Sequence, residues 1–416
     1  MFPSFISSVF FGENANTPHA GTRARASGPL TEKTTVRGNI NEAGLESYAF
    51  SGMQGWRVTM EDSHFAYKDI PVQGREEPLR KGHAIFSVMD GHGGDFTSDF
   101  AGKSFMQVLS SNNRLKKYAT MSIEDQSNVP GIECLRLALA ETFARLDVEI
   151  RKQQNKRNDE FHTLSKRQQK KESTDAPTPR IKYERSGSTC IVVFVTPSHI
   201  VSANAGDSRA ILRRGGKILP LSFDHKPNNF PELERINLAS GFVKCKRVDG
   251  DLAVSRGLGD FSYKNNESLP VEQQKVIPNP EFVTYPRSKD DEFMILACDG
   301  IWDVASNEQC GSFVQSLLDE GESDLGLICE EAIDTCLDKN SRDNMTIAVA
   351  TFQGCKIPTG GLGINSVIWQ RRAARQARQL QQSAKKVATR AASNVGLILD
   401  EVPSSSSKRS IAAVTR

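Results

Sequence analysis

The stretch AIFSVMDGHGG, residues 84–94, decides how the rest of this chain is interpreted. Its apolar part, Ala84–Met89, ends abruptly at the acid Asp90, and three of the next four residues are glycines. An uninterrupted apolar run of this length is typical of a fully buried strand. Glycines let the backbone turn tightly and approach a neighbouring group closely. The stretch therefore predicts a buried strand that delivers the Asp90 carboxylate to its C-terminal edge.

The same pattern occurs twice more, far along the chain. The apolar run 293–298 leads into Asp299 and a glycine, and Asp343-Asn344 precedes the apolar run 345–349. One Asp-Gly pair alone is a weak signal, because it is also a common dipeptide of hairpin turns. Three buried strands that each present an aspartate at one end indicate an oxygen-ligand site for hard divalent cations. Without cations, carboxylates sharing one site would force one of them to protonate.

The net charge of +3 hides a strong asymmetry. Residues 371–416 carry +8 and residues 151–185 carry +6, so the remainder carries −11. An acidic body argues against nucleic-acid binding by the folded domain and favours carboxylates that hold metal. The basic tail has two interpretations: a solvated extension, which we favour, or an Arg-rich element that contacts acidic partners, nucleic acid or a membrane surface.

Cysteine usage and the first residues bear on the location of the protein. The eight cysteines include no C-x-x-C pair and no Cys/His cluster with zinc spacing, which favours a reducing compartment. The first basic residue is Arg23 and position 2 is Phe, so we expect neither a signal peptide nor N-myristoylation. We also expect no membrane span. These features predict a cytoplasmic protein, with a nuclear location open through the basic tail.

Composition divides the chain into three parts. Residues 1–45 are rich in Gly, Thr, Ser and Ala without periodicity, which predicts a disordered N-terminal arm. Residues 46–355 form the predicted folded body, with a charged, Gln-rich insertion at 151–185. Residues 356–416 form a basic tail that we expect to be mostly disordered or helical.

Local patterns predict the elements of the body. Apolar spacing over 132–150 predicts a helix that extends into the insertion and then fades into a mobile loop. Strands joined by short turns predict antiparallel sheets. Residues 53–64 are interpreted as an extended strand that places Arg57, Thr59 and Glu61 on one side.

Two further side chains are candidates for catalysis. His92 follows Asp90 by two residues, and beside a phosphate ester it could protonate the departing oxygen. A lone histidine is, however, more often structural. Arg57 could bind two phosphate oxygens, although it could equally be an exposed strand arginine. From these residues alone, both interpretations stay open.

A set of short motifs bears on which of these interpretations of His92 and Arg57 is correct. In chain order, the motifs are Gln54–Arg57, Met60–Asp62, Val88–Gly94, Ser186–Thr189, Ala205–Arg209, Asp224–Pro227, Leu252–Arg256, Leu258–Asp260, Ala297–Asp303 and Ser341–Asn344. They run in family order and resemble the metal-dependent serine/threonine protein phosphatases of type 2C, the PPM family, a resemblance that covers roughly residues 48–352. Ser240 and Gly257 depart from the residues usual in that family, but neither is a proposed ligand.

The resemblance implies that residues 46–355 are a PPM-type catalytic domain of the α+β class. Its two antiparallel β-sheets would pack as a central sandwich flanked by helices, with metals in a cleft at one edge. Carried over to this sequence, Asp90 would bridge two Mg²⁺ or Mn²⁺ ions. The Gly91 carbonyl would bind one ion, and Asp299 and Asp343 would bind the other.

The resemblance also implies roles for four further acids. Glu61 and Asp62 would hold metal-bound waters. Asp207 and Asp303, together with Asp299, match the positions of a third, weaker metal site in some family members.

The implied reaction is hydrolysis of phosphoserine and phosphothreonine in proteins by a metal-activated water. Arg57 would bind the phosphate, and His92 would act as general acid. Cys298 lacks the C-x₅-R loop of a nucleophile and is interpreted as a core thiol. Two alternatives stay open: a phosphatase of small molecules, and a catalytically silent regulatory module of the same fold. We expect a monomer whose partners are phosphoprotein substrates.

Overall fold

The computed structural model describes residues 28–42, 44–79, 82–169 and 183–356, and the tail positions 369–370, 372–374, 377 and 381. The strands are β1 (Leu30–Glu42), β2 (Leu45–Gly55), β3 (Ser63–Tyr67), β4 (Ala84–Met89), β5 (Gly91–His92), β6 (Gly187–Ser188), β7 (Cys190–Val195), β8 (His199–Ala205), β9 (Arg209–Arg214), β10 (Lys217–Pro220), β11 (Val243–Lys244), β12 (Arg247–Val248), β13 (Leu258–Gly259), β14 (Glu281–Pro286), β15 (Asp291–Ala297) and β16 (Met345–Phe352). The helices are α1 (Phe96–Ser110), α2 (Asn113–Thr120), α3 (Ile123–Ser127), α4 (Val129–Gln169), α5 (Phe230–Leu238), α6 (Asp299–Trp302), α7 (Asn307–Asp319) and α8 (Leu325–Asp338).

Two antiparallel sheets form the centre of the fold. One has six strands in the order β1-β2-β16-β15-β9-β10, and the other has five in the order β14-β8-β7-β4-β3. A smaller sheet, β13-β6-β5, joins three short segments. Helices pack outside the two large sheets. The predicted α+β class with two antiparallel sheets is therefore confirmed.

The two large sheets bury apolar side chains against each other. Phe50 and Leu296 of one sheet meet Phe86 and Val193 of the other in a single buried cluster. A second cluster lies where α1 and α4 contact the five-stranded sheet, with α2 packed against these two helices. Because both faces of β4 are covered, all residues of Ala84–Met89 are buried, as the unbroken apolar run predicts.

The predicted disordered arm, 1–45, is wrong over its last part, where β1 forms an edge strand. The register of β1 and β2 places Lys33 opposite Met53. On α8, Asp334 Oδ1 lies 2.7 Å from Lys33 Nζ. The polar, Thr-rich composition of β1 suits an edge strand, and β2 and α8 provide the contacts that order it. Residues 1–27 lie outside the described residues.

The strand predicted over 53–64 ends early, at Gly55. Gly55 has a φ of +65°, and a Cβ there would overlap the carbonyl oxygen of Asp343. This backbone conformation and this close approach favour glycine, and the chain turns out of the sheet. Arg57 and Glu61 therefore lie in the loop between β2 and β3, and not on a strand.

The first part of the charged insertion continues helix α4, while residues 170–182 lie outside the described residues. Two polar side chains one turn apart on α4 hold the returning chain. Gln154 Nε2 donates to the carbonyl of Ser186 at 2.8 Å. Asn158 donates to the Glu184 carbonyl at 2.9 Å and accepts from its N–H at 2.6 Å. This part of the insertion therefore supports the segment that leads into β6.

The described chain divides into two units. The main unit comprises residues up to 312 and residues 325–355. The smaller unit comprises residues 313–324 and the tail, and within it Arg372 Nη1 lies 2.7 Å from Glu322 Oε2. The described residues of the tail from 369 to 381 are helical. Among the described helices, none combines the length and hydrophobicity needed to cross a bilayer.

Helix α5 is fixed by a buried ion-pair network. Glu232 is 2% exposed, and its carboxylate lies 2.6 Å from Arg256 Nη2 and 2.7 Å from Arg235 Nη1. Burial alone would raise the pKa of the Glu232 carboxyl, but Arg256 and Arg235 lower it to about 2. The carboxylate therefore stabilises the folded state at neutral pH.

We expect Glu232→Gln to lower the free energy of unfolding at pH 7 by about 3 kcal/mol, because two arginines lose their buried counter-charge. The folded pKa of about 2 lies below the ordinary value of 4.5. The stabilisation is therefore complete above pH 4.5 and is lost as the pH falls toward 2. Urea unfolding at pH 7 and pH 3 measures both effects, with the exposed neighbour Glu234→Gln as control. An equally steep pH dependence in Glu232→Gln and the wild type would contradict this account.

Candidate active site

The strand ends that were predicted to carry aspartates meet in one pocket. Asp90, after β4, and Asp299, after β15, lie close enough for each carboxylate to perturb the pKa of the other. The backbone of Asp90 is anchored by Thr189, whose Oγ1 accepts from the Asp90 N–H at 3.0 Å and whose N–H donates to the Asp90 carbonyl at 2.9 Å. Asp343, before β16, interacts electrostatically with both aspartates.

Burial and mutual repulsion perturb these carboxylates. Burial raises the pKa of Asp90 well above its ordinary value, and Asp62 and Asp299 raise it further. Burial, with neighbouring carboxylates, also raises the pKa of Asp62 to about 6 and that of Asp299 to about 7. Without a counter-charge, the pocket therefore disfavours full ionisation at neutral pH, as the clustering of like charges predicts.

Two acids of the pocket, Asp62 and Asp90, lie close enough together to share a divalent cation. One ligand atom each from Asp62, Asp90 and Cys298 lie within 4.8 Å of one another. Asp62 Oδ2 accepts from Thr346 Oγ1 at 2.7 Å, whereas its buried Oδ1 has no hydrogen-bond partner in the described part of the chain. A hard cation would satisfy such an oxygen. Burial raises the pKa of the Cys298 thiol well above its ordinary value, which favours the neutral core thiol.

Gly91 lies where two backbone segments come close together. A Cβ on Gly91 would overlap the carbonyl oxygen of Glu61, which also accepts a hydrogen bond from Ser98 Oγ. The Glu61 carboxylate faces the glycine turn, where its Oε2 accepts from the Gly94 N–H at 3.3 Å. Its Oε1 accepts from Thr59 Oγ1 at 2.7 Å. The predicted residues Glu61 and Gly91 are thus brought together next to Asp90.

Asp207 and Asp303, predicted for a third metal site, lie within electrostatic reach of Asp299, whose pKa they raise. Asp207 is buried and ion-paired with Lys226. Burial raises the pKa of Asp207, and Lys226 opposes this effect. Asp303 is exposed at the end of α6. Sequence reasoning missed Lys226, whose ammonium group would compete with a cation for Asp207.

Arg57 lies at the rim of the pocket, where its guanidinium is paired with Asp343. The Arg57 side chain is 56% exposed. Its loop is held by Asn344, whose Nδ2 donates to the carbonyls of Gln54 and Thr59 at 2.9 Å each. A guanidinium that is both fixed and accessible suits phosphate binding. The sequence places Asn344 beside Asp343, but it does not predict that the Asn344 side chain links the carbonyls of Gln54 and Thr59.

His92 has a buried partner, Asp260, that sequence reasoning also missed. His92 Nε2 lies 2.8 Å from Asp260 Oδ2. Burial alone would lower the pKa of His92, but Asp260 and other carboxylates raise it. The small sheet explains the pairing, because Gly187 of β6 lies opposite His92 on one side and Gly259 on the other. A Cβ on Gly187 would overlap the Asp260 carboxylate. The sequence feature that could have indicated Asp260 is the motif Leu258–Asp260, one of the motifs on which the family resemblance rests.

Known proteins share this arrangement of sequence and fold. The family model described as Protein phosphatase 2C matches residues 46–345. This chain belongs to the protein phosphatase 2C family. Rat protein phosphatase 1B is 38% identical over 326 residues, which cover 78% of this chain and 74% of the rat protein. Bovine protein phosphatase 1B is 38% identical over 324 residues, but that match covers only 60% of the bovine protein.

A solved structure shows the same fold. Serine-threonine phosphatase 2C from Toxoplasma gondii superposes with a TM-score of 0.57 at 20% sequence identity. The superposition covers 77% of this chain and 99% of the Toxoplasma chain. Metal dependence is general in the protein phosphatase 2C family, and the acidic pocket of this chain is consistent with it.

Proposed function

We propose that this chain is an active, metal-dependent phosphatase that hydrolyses phosphoserine and phosphothreonine in proteins. One observation supports the proposal above all: the acids Asp90, Asp299 and Asp343 lie within electrostatic reach of one another, and Arg57 pairs with Asp343. Each of these positions keeps the residue type that the reaction needs. Membership of the protein phosphatase 2C family, and the names of the relatives, support the same activity.

Two Mg²⁺ or Mn²⁺ ions would suit this donor set. Asp90, the Gly91 carbonyl, Asp299 and Asp343 would hold them. The chemistry that such cations supply is activation of a water for in-line attack on phosphorus and neutralisation of phosphoryl charge.

The remaining acids would act around these ions. Glu61 and Asp62 would hold their water ligands, and the unpartnered Oδ1 of Asp62 is available for this. Asp207 and Asp303, with Asp299, would form the third, weaker site. Lys226 already partly neutralises the Asp207 carboxylate, which would weaken cation binding at that site.

The side chains of this protein perform three tasks in the proposed reaction. Arg57 donates hydrogen bonds to phosphoryl oxygens and stabilises their charge as the bond to the leaving group breaks. His92 gives a proton to the departing serine or threonine oxygen. Asp260 accepts a hydrogen bond from His92 and thereby orients the imidazole and favours its protonated form.

An assay with two substrates tests the proposal. Purified protein should hydrolyse p-nitrophenyl phosphate and a phosphothreonine peptide in Mn²⁺ or Mg²⁺, and EDTA should remove both activities. Hydrolysis of small phosphate esters without any phosphopeptide would favour the small-molecule phosphatase. Metal binding by calorimetry without hydrolysis of either substrate would favour the silent regulatory module.

Location and assembly remain part of the same proposal. All the site residues come from one chain, so a monomer suffices, and we expect it in the cytoplasm and, through the basic tail, in the nucleus. The tail would either be a solvated extension or contact acidic partners or a membrane surface. Deletion of residues 370–416, with location and catalytic rate measured separately, tests these roles.

A further inference from the structure

The side chains of Trp56 and Arg342 form an exposed stack beside the catalytic pocket. The guanidinium carbon of Arg342 lies 4.3 Å from the centroid of the Trp56 ring. Trp56 immediately precedes Arg57, and Arg342 immediately precedes Asp343, which is the ion-pair partner of Arg57. The same two backbone segments are therefore joined twice, once by an ion pair and once by a stack. Consecutive Cα atoms are about 3.8 Å apart, so the stack and the Arg57–Asp343 pair arise from adjacent positions on both segments.

The positive charge of Arg342 is accessible. Arg342 is exposed, and no ion pair among the described residues involves it. Its guanidinium rests on an aromatic ring, which orients the group without neutralising its charge. Two large apolar side chains of the same loop are also exposed, Trp56 at 44% and Val58 at 95%. An available cation and exposed apolar side chains therefore lie together next to the pocket.

The loop that carries Trp56 is held in place. Gln54 Nε2 donates to the Arg57 carbonyl at 3.0 Å, closing the turn around Trp56. Asn344 holds both ends of the same loop, and Gly55 brings it against the carbonyl of Asp343. A preorganised surface loses little conformational entropy when a ligand binds. The stack is thus suited to recognition and does not depend on a flexible loop becoming ordered.

We propose that the Trp56–Arg342 stack is a substrate subsite for an acidic side chain within two residues of the phosphorylated serine or threonine. This inference rests on the proposed function. While Arg57 binds the phosphate, Arg342 would pair with a nearby Asp or Glu of the same peptide, since extended residues advance about 3.3 Å each. The exposed faces of Trp56 and Val58 would contact the peptide backbone and side-chain stems. The substrates favoured by this chain are therefore phosphoproteins with acidic residues beside the phosphorylation site.

Phosphothreonine peptides that differ at one position test this subsite. Asp is compared with its neutral isostere Asn at positions −2, −1, +1 and +2, in an otherwise alanine-rich peptide. At one of these positions, the wild type should show a kcat/KM about threefold higher for Asp, the size expected for an exposed ion pair. High salt should remove the preference, because it screens such a pair.

Variants identify the source of the preference. Arg342→Gln should bring the Asp/Asn ratio of kcat/KM to about 1. Arg342→Glu should bring this ratio below 1 and should favour a peptide with Lys at the same position. Trp56→Leu should lower the ratio, because the guanidinium loses its support. Arg145→Gln is the matched control, since Arg145 is exposed on α4 and its guanidinium contacts Ser111, and the ratio should stay at the wild-type value.

Two results would overturn the inference: equal rates for Asp and Asn at all four positions in the wild type, or a preference that persists in Arg342→Gln. Because each readout is a ratio within one variant, a general loss of activity does not imitate the effect. Failure of the wild type to hydrolyse any phosphopeptide would instead contradict the proposed function.

Discussion

Asp90→Asn should remove metal-dependent hydrolysis and at the same time raise the thermal stability of the metal-free protein. The loss should be on the order of 10³-fold in kcat, because this carboxylate lies at the centre of the acidic pocket. The gain in stability follows from the raised pKa of Asp90, since removing one of several buried, mutually repelling carboxylates relieves the folded state. A rise in Tm of about 2 °C corresponds to relief of roughly 1 kcal/mol.

Thermal unfolding with and without Mg²⁺ measures both consequences of Asp90→Asn. The wild type should gain stability as Mg²⁺ is added, and the variant should gain much less, because ligand binding stabilises the folded state by mass action. Asp290→Asn, an exposed carboxylate outside the pocket, should behave like the wild type. A lower Tm for metal-free Asp90→Asn, or activity within tenfold of the wild type, would show that the acidic pocket does not act as inferred.

Asp260→Asn should separate substrates by their leaving groups. Asp260 accepts the hydrogen bond of His92 and raises its pKa, so its loss weakens His92 as a proton donor. For a phosphothreonine peptide, whose alkoxide must be protonated, kcat should fall about 10²-fold. For p-nitrophenyl phosphate, whose phenolate departs without a proton, the fall should be much smaller. Asparagine is nearly the same size and tolerates the left-handed backbone of residue 260, at φ +54°.

Asp249→Asn provides the matched control for this experiment. Asp249 also has a left-handed backbone, with φ +50°, but its carboxylate pairs with Lys275 and does not contact His92. Its effect on the two substrates should be equal and small. Equal losses for both substrates in Asp260→Asn would indicate that Asp260 only supports the fold around Gly187.

Sequence reasoning located the acidic pocket because its acids follow or precede long apolar runs. Asp90 and Asp299 lie at the ends of buried strands whose composition is unambiguous, and the structure places them within electrostatic reach of each other. The same reasoning failed for the disordered arm and for the strand over 53–64. In both cases the deciding contacts come from distant residues: α8 for β1, and Asp343 for the turn at Gly55.

The residues missed at the site share one property. Asp260, Lys226 and Asn344 each act through a partner on a separate segment of the chain, and the neighbours of each in the sequence do not reveal its role. Asp260, for example, is 168 residues from His92. Spacing in a single sequence carries information about neighbours on one strand or helix, whereas these pairings depend on how strands from separate segments come together.

By itself, the sequence determined the sheet-rich body, the buried strands and the acids at their ends, since hydrophobic periodicity and glycine positions are local properties of the chain. Only the tertiary structure decided that Asp260 accepts a hydrogen bond from His92, that Lys226 forms an ion pair with Asp207, and that Arg342 stacks on Trp56. The physical reason is that a hydrogen bond, an ion pair or a stack depends on distances of a few ångströms, which packing of the two sheets and their loops sets.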